Sequence, residues 1–403
     1  MHMKSTIPCG ILCFLLMTMC SCKGQSDGDQ GSAVSRTSHG KIVGGGCDGC
    51  ELMYVDMPQN ISSVDTSTAW QSEGQRILIS GKVLKMDGKT PVSDVIVYYW
   101  HTDTDGYYSG GSGKAASHGR IRGWVQSDEQ GNYAIYTVRP AGYPNTDMPA
   151  HIHLSIKEPN IPDEYYTDEL VFDDDRLLTG AKRKRLSNRG GSGVLRPLLG
   201  EGMQVAEHNI ILGLNIPNYP VVKDRKVESG RQVGEDNPSF TPFHAWGPDR
   251  GSKTCPVCKY GRYHGIVFFV GNNPDWEQVK QWLVFLESES VKREKYLKAY
   301  FVYGNEKDYN KAHRDTELAQ LGMELGISNL ALTFVPSFTD TVSEVHLNRI
   351  NPNVENTFII YRNRNIIGKF INLKPSAENL NSISHMLDKT KNEYFDLPEP
   401  PHD

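Results

Sequence analysis

The chain has 403 residues, of which 38% are hydrophobic and 23% are charged, and its formal net charge is −5. This length exceeds one ordinary domain, so we expect two domains, each with enough apolar residues for a folded core. The slightly acidic balance gives no basis for a nucleic-acid partner, which would require a basic surface.

Residues 1–22 have the features of an export signal. A basic residue precedes an apolar run from Ile11 to Met19, which is too short to span a bilayer. The segment resembles a bacterial lipoprotein signal. This implies a lipid anchor on Cys22 and a place in the bacterial cell envelope, in the periplasm or at the outer membrane. Simple cleavage of the signal is the alternative. We expect a polar linker with a C-x-x-C pair over residues 23–50.

Four of the eight cysteines lie in the signal, and the other four form two C-x-x-C pairs, CDGC at 47–50 and CPVC at 255–258. Because an exported chain folds in an oxidising compartment, we interpret each pair as a local disulfide. The alternative is one zinc site made of all four cysteines. Zinc ribbons usually keep their pairs close in sequence, which disfavours that site.

Short alternating strands separated by turns predict an antiparallel β-sandwich over residues 51–222. Among the strands are RILISGKVL, DVIVYYWHT and HIHLSIK, and among the turns are MDGKT and DEQGN. Long amphipathic helical patterns are missing from this stretch of sequence, as expected for an all-β domain.

His151 and His153 lie in one of these predicted strands, eight and ten residues after Tyr143. Side chains at positions i and i+2 of a strand emerge on the same face, about 7 Å apart along the backbone, so both imidazoles can converge on one cation. The intervening Ile152 should point into the sandwich. A His-x-His strand also occurs as a polar face that binds nothing. A nearby phenol favours a hard trivalent cation, because only a strong positive charge ionises it at neutral pH.

The same region resembles the intradiol ring-cleavage dioxygenases, the catechol and protocatechuate group, over roughly residues 75–220. The run from Trp100 to Tyr108, with Gly106 two residues before the tyrosine, matches the segment that carries the family's first iron tyrosine. SDEQGNY matches a family strand in all but its first letter, and PAGYP matches a second motif loosely. PAHIH at 149–153 matches letter for letter.

This resemblance implies that Tyr108, Tyr143, His151 and His153 bind non-haem Fe(III), with Tyr107 as the alternative to Tyr108. It implies an enzyme that inserts both atoms of O2 into a catechol-like aromatic diol and opens the ring between the hydroxyl-bearing carbons. In the family one ligand tyrosine leaves the iron and accepts a substrate proton, so Tyr108 and Tyr143 would also be catalytic.

Two positions depart from the family pattern. An arginine commonly precedes the PAHIH run, and this chain has Met148 there. We therefore expect Arg122 and Arg139 to be the candidate catalytic cations. A glutamine of the family is replaced by an acid, either Asp168 or Glu169. These changes bear on substrate and turnover more than on iron binding.

Two stretches of the same domain, GKVLKMDGKTPVSDVIVYYW and SDEQGNYAIYTVRP, also resemble transthyretin-like modules. Such modules brace carboxypeptidases and outer-membrane proteins. The alternative function is therefore an exported, non-catalytic binding or scaffold protein. Those modules have no need for Tyr143 together with a His-x-His strand, which favours the metalloenzyme.

A polar linker is predicted over residues 223–254 and an α/β domain over residues 255–403. The pattern after Tyr263 predicts the order β-α-β-α-β-β-β-α with a mixed sheet, and it resembles thioredoxin-like folds. A redox-active C-x-x-C in those folds follows the first strand, whereas CPVC precedes it. We therefore interpret Cys255 and Cys258 as a structural disulfide, with a displaced redox pair as the alternative.

Overall fold

The computed structural model describes residues 41–47, 49–220, 227–307 and 309–400. The predicted signal and Cys22 lie outside the described residues. From Lys41 onward the chain forms one compact unit. Within the described part, the first twelve strands are β1 (Val64–Thr66), β2 (Arg76–Leu84), β3 (Ile96–His101), β4 (Arg122–Gln126), β5 (Asn132–Val138), β6 (His151–Lys157), β7 (Tyr165–Tyr166), β8 (Leu170–Phe172), β9 (Val194–Leu195), β10 (Leu198–Leu199), β11 (Gln204–Glu207) and β12 (Ile210–Ile211).

The remaining strands are β13 (Phe243–Trp246), β14 (His264–Val270), β15 (Leu297–Tyr303), β16 (Ala331–Phe334), β17 (Thr357–Arg362) and β18 (Asn365–Ile371). The α-helices are α1 (Gly180–Arg185), α2 (Pro256–Tyr260), α3 (Trp276–Arg293), α4 (Lys311–Glu324) and α5 (Ala377–Thr390). Short 3-10 helices include Cys50–Tyr54 and Gly113–His118, which both lie near the site described below.

Two sheets form the predicted sandwich. One has the strand order β1-β5-β2-β11-β10 with β12 beside β2, and the other has the order β4-β3-β6-β8-β9 with β7 beside β6. Buried apolar side chains from both sheets share one core, among them Ile79, Val97 and Ile152. The predicted position of Ile152 inside the sandwich is therefore confirmed.

The prediction that the sandwich is antiparallel is wrong at four strand pairs. β1 runs parallel to β5, β11 and β12 run parallel to β2, and β9 runs parallel to β8. Parallel neighbours need a long connection, and the chain between β2 and β11 supplies one by forming the whole second sheet. Alternating hydrophobicity determines which face of a strand is buried, but it leaves the strand direction open.

The pairing of β3 with β6 defines a second, outer face of the second sheet. Trp100 lies directly opposite His153 in this antiparallel pair. Directly paired residues share a face, so Trp100 and His153 both point away from the sandwich core. A separate apolar cluster with Met53, Tyr98 and Trp100 covers this outer face.

The C-terminal half has a mixed six-stranded sheet in the order β13-β16-β15-β14-β17-β18. β14, β15 and β16 are parallel and are connected by α3 and α4, while the other neighbours are antiparallel. Helix α3 begins after Asp275, whose carboxylate accepts a hydrogen bond from the Gln278 amide at 3.2 Å. The α/β prediction and its element order are confirmed, and the likeness to thioredoxin stays a prediction.

The stretch predicted as a linker, residues 223–254, contributes strand β13, which pairs with β16. Its described part also lies against both halves, because the Gly234 amide donates to the Ile366 carbonyl at 2.8 Å and the Gly234 carbonyl accepts from Ser192 at 2.8 Å. The prediction of a linker is therefore wrong for this part. Its polar composition reflects ion pairs such as Arg196–Asp236 at 2.6 Å, not solvent exposure alone.

Further contacts join the sandwich to the C-terminal half. Arg362 pairs with Glu207 at 2.9 Å, and the Leu199 amide of β10 donates to the Pro398 carbonyl at 2.8 Å. Cys47 is bonded to Cys50 and Cys255 to Cys258, so the predicted local disulfides are confirmed. Among the described residues, none of the helices has the length and apolar character needed to cross a bilayer.

Candidate metal centre

Asp103 shapes the loop that carries Tyr108. Its Oδ1 accepts hydrogen bonds from the backbone amides of Asp105 and Tyr107 at 3.0 Å each, and its Oδ2 accepts one from the Ser109 hydroxyl at 2.6 Å. This is the local capping that aspartate gives to turns. As a result, Tyr107 is 58% exposed, whereas Tyr108 packs against the outer cluster. Of the two adjacent tyrosines, the structure places Tyr108 at the site.

Gly106 allows this loop to touch the loop that carries Tyr143. Its φ is +85°, and a Cβ there would lie 2.2 Å from the carbonyl oxygen of Gly142, closer than side chains pack. The amide of Ala141 also donates to the Asp103 carbonyl at 3.1 Å. This direct backbone contact brings the two tyrosines together.

Strand β6 supplies the two histidines, and oxygen atoms around them determine which ring nitrogen faces the tyrosines. His151 Nδ1 donates to the Pro149 carbonyl at 2.8 Å, because that carbonyl can only accept. His153 Nδ1 lies 3.2 Å from a carboxylate oxygen of Glu169. The Nδ1 hydrogen bond of His151 leaves its Nε2 with a lone pair, and the carboxylate beside His153 Nδ1 favours the same arrangement in that ring.

The four predicted ligand side chains meet at one place. Tyr108 Oη lies 2.8 Å from Tyr143 Oη and 2.9 Å from His153 Nε2. Tyr143 Oη lies 3.1 Å from His151 Nε2 and 3.5 Å from His153 Nε2. Atoms that share one ion at about 2 Å stand roughly 3 Å from one another, which is the spacing found here.

The electrostatics of this cluster suit a cation. Burial raises the pKa of Tyr108 far above its ordinary value, and the adjacent Tyr143 phenol adds to the effect. Burial also lowers the pKa of His151, with a smaller contribution from His153. Both shifts favour the neutral forms of Tyr108 and His151, and a strong positive charge would be needed to ionise the Tyr108 phenol. Two phenol oxygens with two imidazole nitrogens fit a hard trivalent ion better than zinc.

Glu169 is the acidic residue at this site. The His153 imidazole, 3.2 Å from its carboxylate, is the main cause that lowers the Glu169 pKa. His151, His153 and Glu169 offer metal-binding atoms within 4.8 Å of one another. Because the carboxylate meets Nδ1 of His153 and the tyrosines meet Nε2, we assign it to orienting that ring. Asp168 instead accepts from the Asn188 amide at 2.6 Å.

In the described structure, the two arginines expected as catalytic cations form hydrogen bonds with groups outside the cluster of tyrosines and histidines. Arg122 donates to the Val55 carbonyl at 2.9 Å and to the Asp56 carboxylate at 2.8 Å. Arg139 makes two hydrogen bonds with Asp174, at 2.8 and 2.7 Å. Each guanidinium is paired with an acid, so these contacts favour structural roles over the predicted catalytic ones.

The side chain of Met148, at the position where the family has arginine, is 44% exposed.

A groove of about 390 Å³ opens beside Glu169, lined also by Tyr166, Arg185 and Arg189. Its size is within the range of about 300–1,000 Å³ that is typical of small-molecule sites. Glu169 therefore lies both beside His153 and in the lining of this groove.

The aromatic layer behind His153 was not predicted from the sequence. The Trp100 ring stacks on His153, and the His118 ring stacks on Trp100. Opposite positions on paired strands could have indicated Trp100. His118 lies in the irregular segment GKAASHG, whose sequence carries no periodic signal that points to this contact.

Comparison with known families bears on the same region. Residues 54–185 match the family model described as Dioxygenase. The matched segment contains Tyr108, Tyr143, His151 and His153. The match supports the intradiol dioxygenase resemblance for this part of the chain.

Two curated relatives agree with that match. Chlorocatechol 1,2-dioxygenase of Pseudomonas sp. strain P51 is 33% identical over 98 residues, which cover 20% of this chain and 38% of that protein. Catechol 1,2-dioxygenase of Acinetobacter baylyi is 26% identical over 125 residues, which cover 26% of this chain and 39% of that protein. The chain thus spans about two fifths of the length of these relatives.

Two solved structures are also similar in part. The crystal structure of 3-chlorocatechol 1,2-dioxygenase from Rhodococcus opacus has a TM-score of 0.29 and 19% identity, covering 38% of this chain and 68% of that one. Catechol 1,2-dioxygenase from Acinetobacter sp. ADP1 has a TM-score of 0.31 and 19% identity, covering 42% of this chain and 66% of that one.

Proposed function

We propose that the chain is a non-haem Fe(III) dioxygenase of the intradiol type. It would insert both atoms of O2 into a catechol-like aromatic diol and cleave the ring between the two hydroxyl-bearing carbons. The observation that carries the proposal is the convergence of two phenol oxygens and two imidazole Nε2 atoms, with separations of 2.8 to 3.5 Å. The family match over residues 54–185 supports it independently.

Tyr108, Tyr143, His151 and His153 would hold the iron. When bound, Fe(III) supplies a Lewis acid and a template for the two oxygens of the diol. The two phenolates offset two of the three positive charges, and the neutral imidazoles offset none, so the site keeps one positive charge for an anionic substrate oxygen. Glu169 holds the His153 ring with Nε2 towards the tyrosines.

Proton transfer falls to the phenols. A phenolate oxygen, Tyr143 Oη or Tyr108 Oη, can accept a hydroxyl proton from the diol, because each lies in the cluster that the diol must reach. A single-ring substrate would approach past Glu169, which lines the neighbouring groove. The apolar cluster around Trp100, which stacks on His153, would limit the access of water to that histidine.

For the parts of the chain away from this site we propose two further assignments. The N-terminal signal would export the protein to the bacterial cell envelope and leave it anchored by a lipid on Cys22. The C-terminal half would be a thioredoxin-like accessory domain, which its central parallel strands β14–β16 support. Membrane fractionation of the wild type and Cys22→Ala tests the anchor, since only the wild type should sediment with membranes.

The proposed activity is tested by loading the purified protein with Fe(III), recording its visible spectrum and measuring O2 uptake with a panel of catechols. We expect a phenolate-to-iron absorption band and one O2 consumed per diol. Tyr108→Phe should weaken the band and slow uptake by roughly 100-fold or more, since general acid–base groups typically contribute 10²–10⁴-fold.

Tyr107→Phe is the matched control, because Tyr107 is the neighbouring residue and its side chain is exposed. It should behave as the wild type. A colourless iron-loaded protein would contradict the proposal. A coloured protein that consumes no O2 with any catechol would favour the non-catalytic binding protein.

A further inference from the structure

Three aromatic rings form a stack behind the candidate metal centre. The Trp100 ring lies 4.8 Å from the His153 ring with 14° between their planes. The centroid of the His118 ring lies 4.1 Å from that of Trp100, with 4° between planes. A ring packed flat against another has little freedom to turn, so this stack limits the plane that His153 can adopt.

His118 is itself held in place from two sides. Its Nδ1 lies 2.9 Å from the hydroxyl of Tyr98, which is fully buried and stacks on Trp100 at 5.1 Å. On the other side Gly49 approaches so closely that a Cβ there would lie 3.2 Å from His118 Nε2. Because the Trp100 ring stacks on both His118 and His153, His118 can act on the orientation of His153 through that indole.

The segment from Gly49 to Asp56 covers the stack, and the Cys47–Cys50 disulfide closes its first turn. The Met53 carbonyl accepts from the indole of Trp124 at 2.7 Å, and the Val55 carbonyl accepts from Arg122 at 2.9 Å. Both donors belong to β4, the strand beside Trp100. Arg122 is thus part of the contact that holds this cover on the sheet.

The disulfide also contacts the strand that carries the histidines. The hydroxyl of Ser155 donates to Cys50 Sγ at 2.9 Å. Ser155 lies two residues after His153 in β6 and so faces the same side of the sheet. The cover therefore contacts β6 beside His153, β4 beside Trp100, and His118 at the end of the stack.

We propose that His118 is a positioning residue for the candidate metal centre, holding the His153 ring plane through Trp100 so that Nε2 meets the two phenols. The inference rests on the proposed Fe(III) function, because its effect is measured at that site. If His153 keeps the binding orientation for only a tenth of the time, the apparent Fe(III) dissociation constant rises tenfold.

Two variants and a rescue test this role. His118→Ala removes the outer ring of the stack, and Tyr98→Phe keeps its own ring but removes the hydroxyl that lies 2.9 Å from His118 Nδ1 and also interacts with Arg122. Both should weaken Fe(III) affinity by about 10-fold, at the lower end of the 10–100-fold typical for partners of metal ligands, and should broaden the visible band. His118→Phe, which restores a flat ring, should recover most of the affinity.

Tyr133→Phe is the matched control. Tyr133 is another buried tyrosine of the same sandwich, and its hydroxyl lies 2.7 Å from Nδ1 of His208, away from the outer face. We expect it to lose comparable stability to urea while its Fe(III) affinity, measured by competition with a chelator, stays within about twofold of the wild type.

The outcomes separate the two proposals. A wild-type protein that binds no Fe(III) would overturn the proposed function and this inference with it. A wild type that binds iron, together with His118→Ala and Tyr98→Phe variants of unchanged affinity and spectrum, would overturn the inference alone. Equal losses of Fe(III) affinity in Tyr133→Phe and Tyr98→Phe would also overturn the inference, because the weaker binding would then follow from lower stability alone.

Discussion

Replacing Gly106 by alanine should disrupt the backbone contact that brings the two tyrosines together. Comparison with a second glycine substitution distinguishes this effect from ordinary loop strain. The added Cβ would lie 2.2 Å from the Gly142 carbonyl oxygen, and real contacts stay above 3.0 Å, so the two loops must part by at least 0.8 Å. A left-handed alanine costs roughly 1–2 kcal/mol, and relieving an overpacked contact adds about 1–3 kcal/mol. A shift of about 1 Å at a reacting group can cost roughly 100-fold in rate.

Gly113→Ala is the control for this change. Gly113 also has a positive φ, +64°, but a Cβ there meets nothing within 4 Å, so only the conformational cost remains. Urea unfolding of the iron-free proteins should show Gly106→Ala as the less stable variant by about 1–3 kcal/mol. O2 uptake by the iron-loaded proteins should fall about 100-fold in Gly106→Ala alone. Equal activity and stability in the two variants would refute this account of the loop contact.

Three further changes have distinct expected results. Glu169→Gln removes the charge facing His153 Nδ1, and chelator competition should show Fe(III) affinity about 10-fold weaker. Replacing both Cys47 and Cys50 by serine should weaken Fe(III) affinity, because their disulfide closes the first turn of the segment that covers the stack. Replacing both Cys255 and Cys258 by serine should leave the Fe(III) affinity unaltered, because that disulfide is not part of the cover. Glu287 accepts amide hydrogen bonds, including one from Leu330 at 2.8 Å. Partial burial would raise its pKa, but the hydrogen bonds outweigh burial and lower it. This stabilisation should be present above about pH 4.3 and lost as pH falls through the lowered pKa, and urea unfolding of Glu287→Gln should show a smaller acid dependence.

The sequence predicted the site best where local geometry determines the answer. The two-residue period of a strand places His151 and His153 on one face whatever the rest of the chain does. The alternation also places Ile152 in the core. The family resemblance favoured Tyr108 over Tyr107, and the structure places Tyr108 beside Tyr143, in a turn that Asp103 holds through local hydrogen bonds.

Prediction was poorest where a side chain has a choice of distant partners. Arg139 and Arg122 are long, and the acids they pair with, Asp174 and Asp56, are 35 and 66 residues away in sequence. Nothing local selects those partners over a reacting oxygen. The prediction of antiparallel strand pairs was wrong at four places for the same reason, because strand direction depends on where a long connection returns to the sheet.

The hydrogen bond between Leu199 and Pro398 has a consequence for biosynthesis. The amide of Leu199, on the edge strand β10 of the sandwich, pairs with a carbonyl that is translated almost two hundred codons later. As the polypeptide emerges from the ribosome, the Leu199 amide lacks this partner until Pro398 is released. A premature stop codon before codon 398 would therefore remove a contact of the sandwich, which is encoded far upstream.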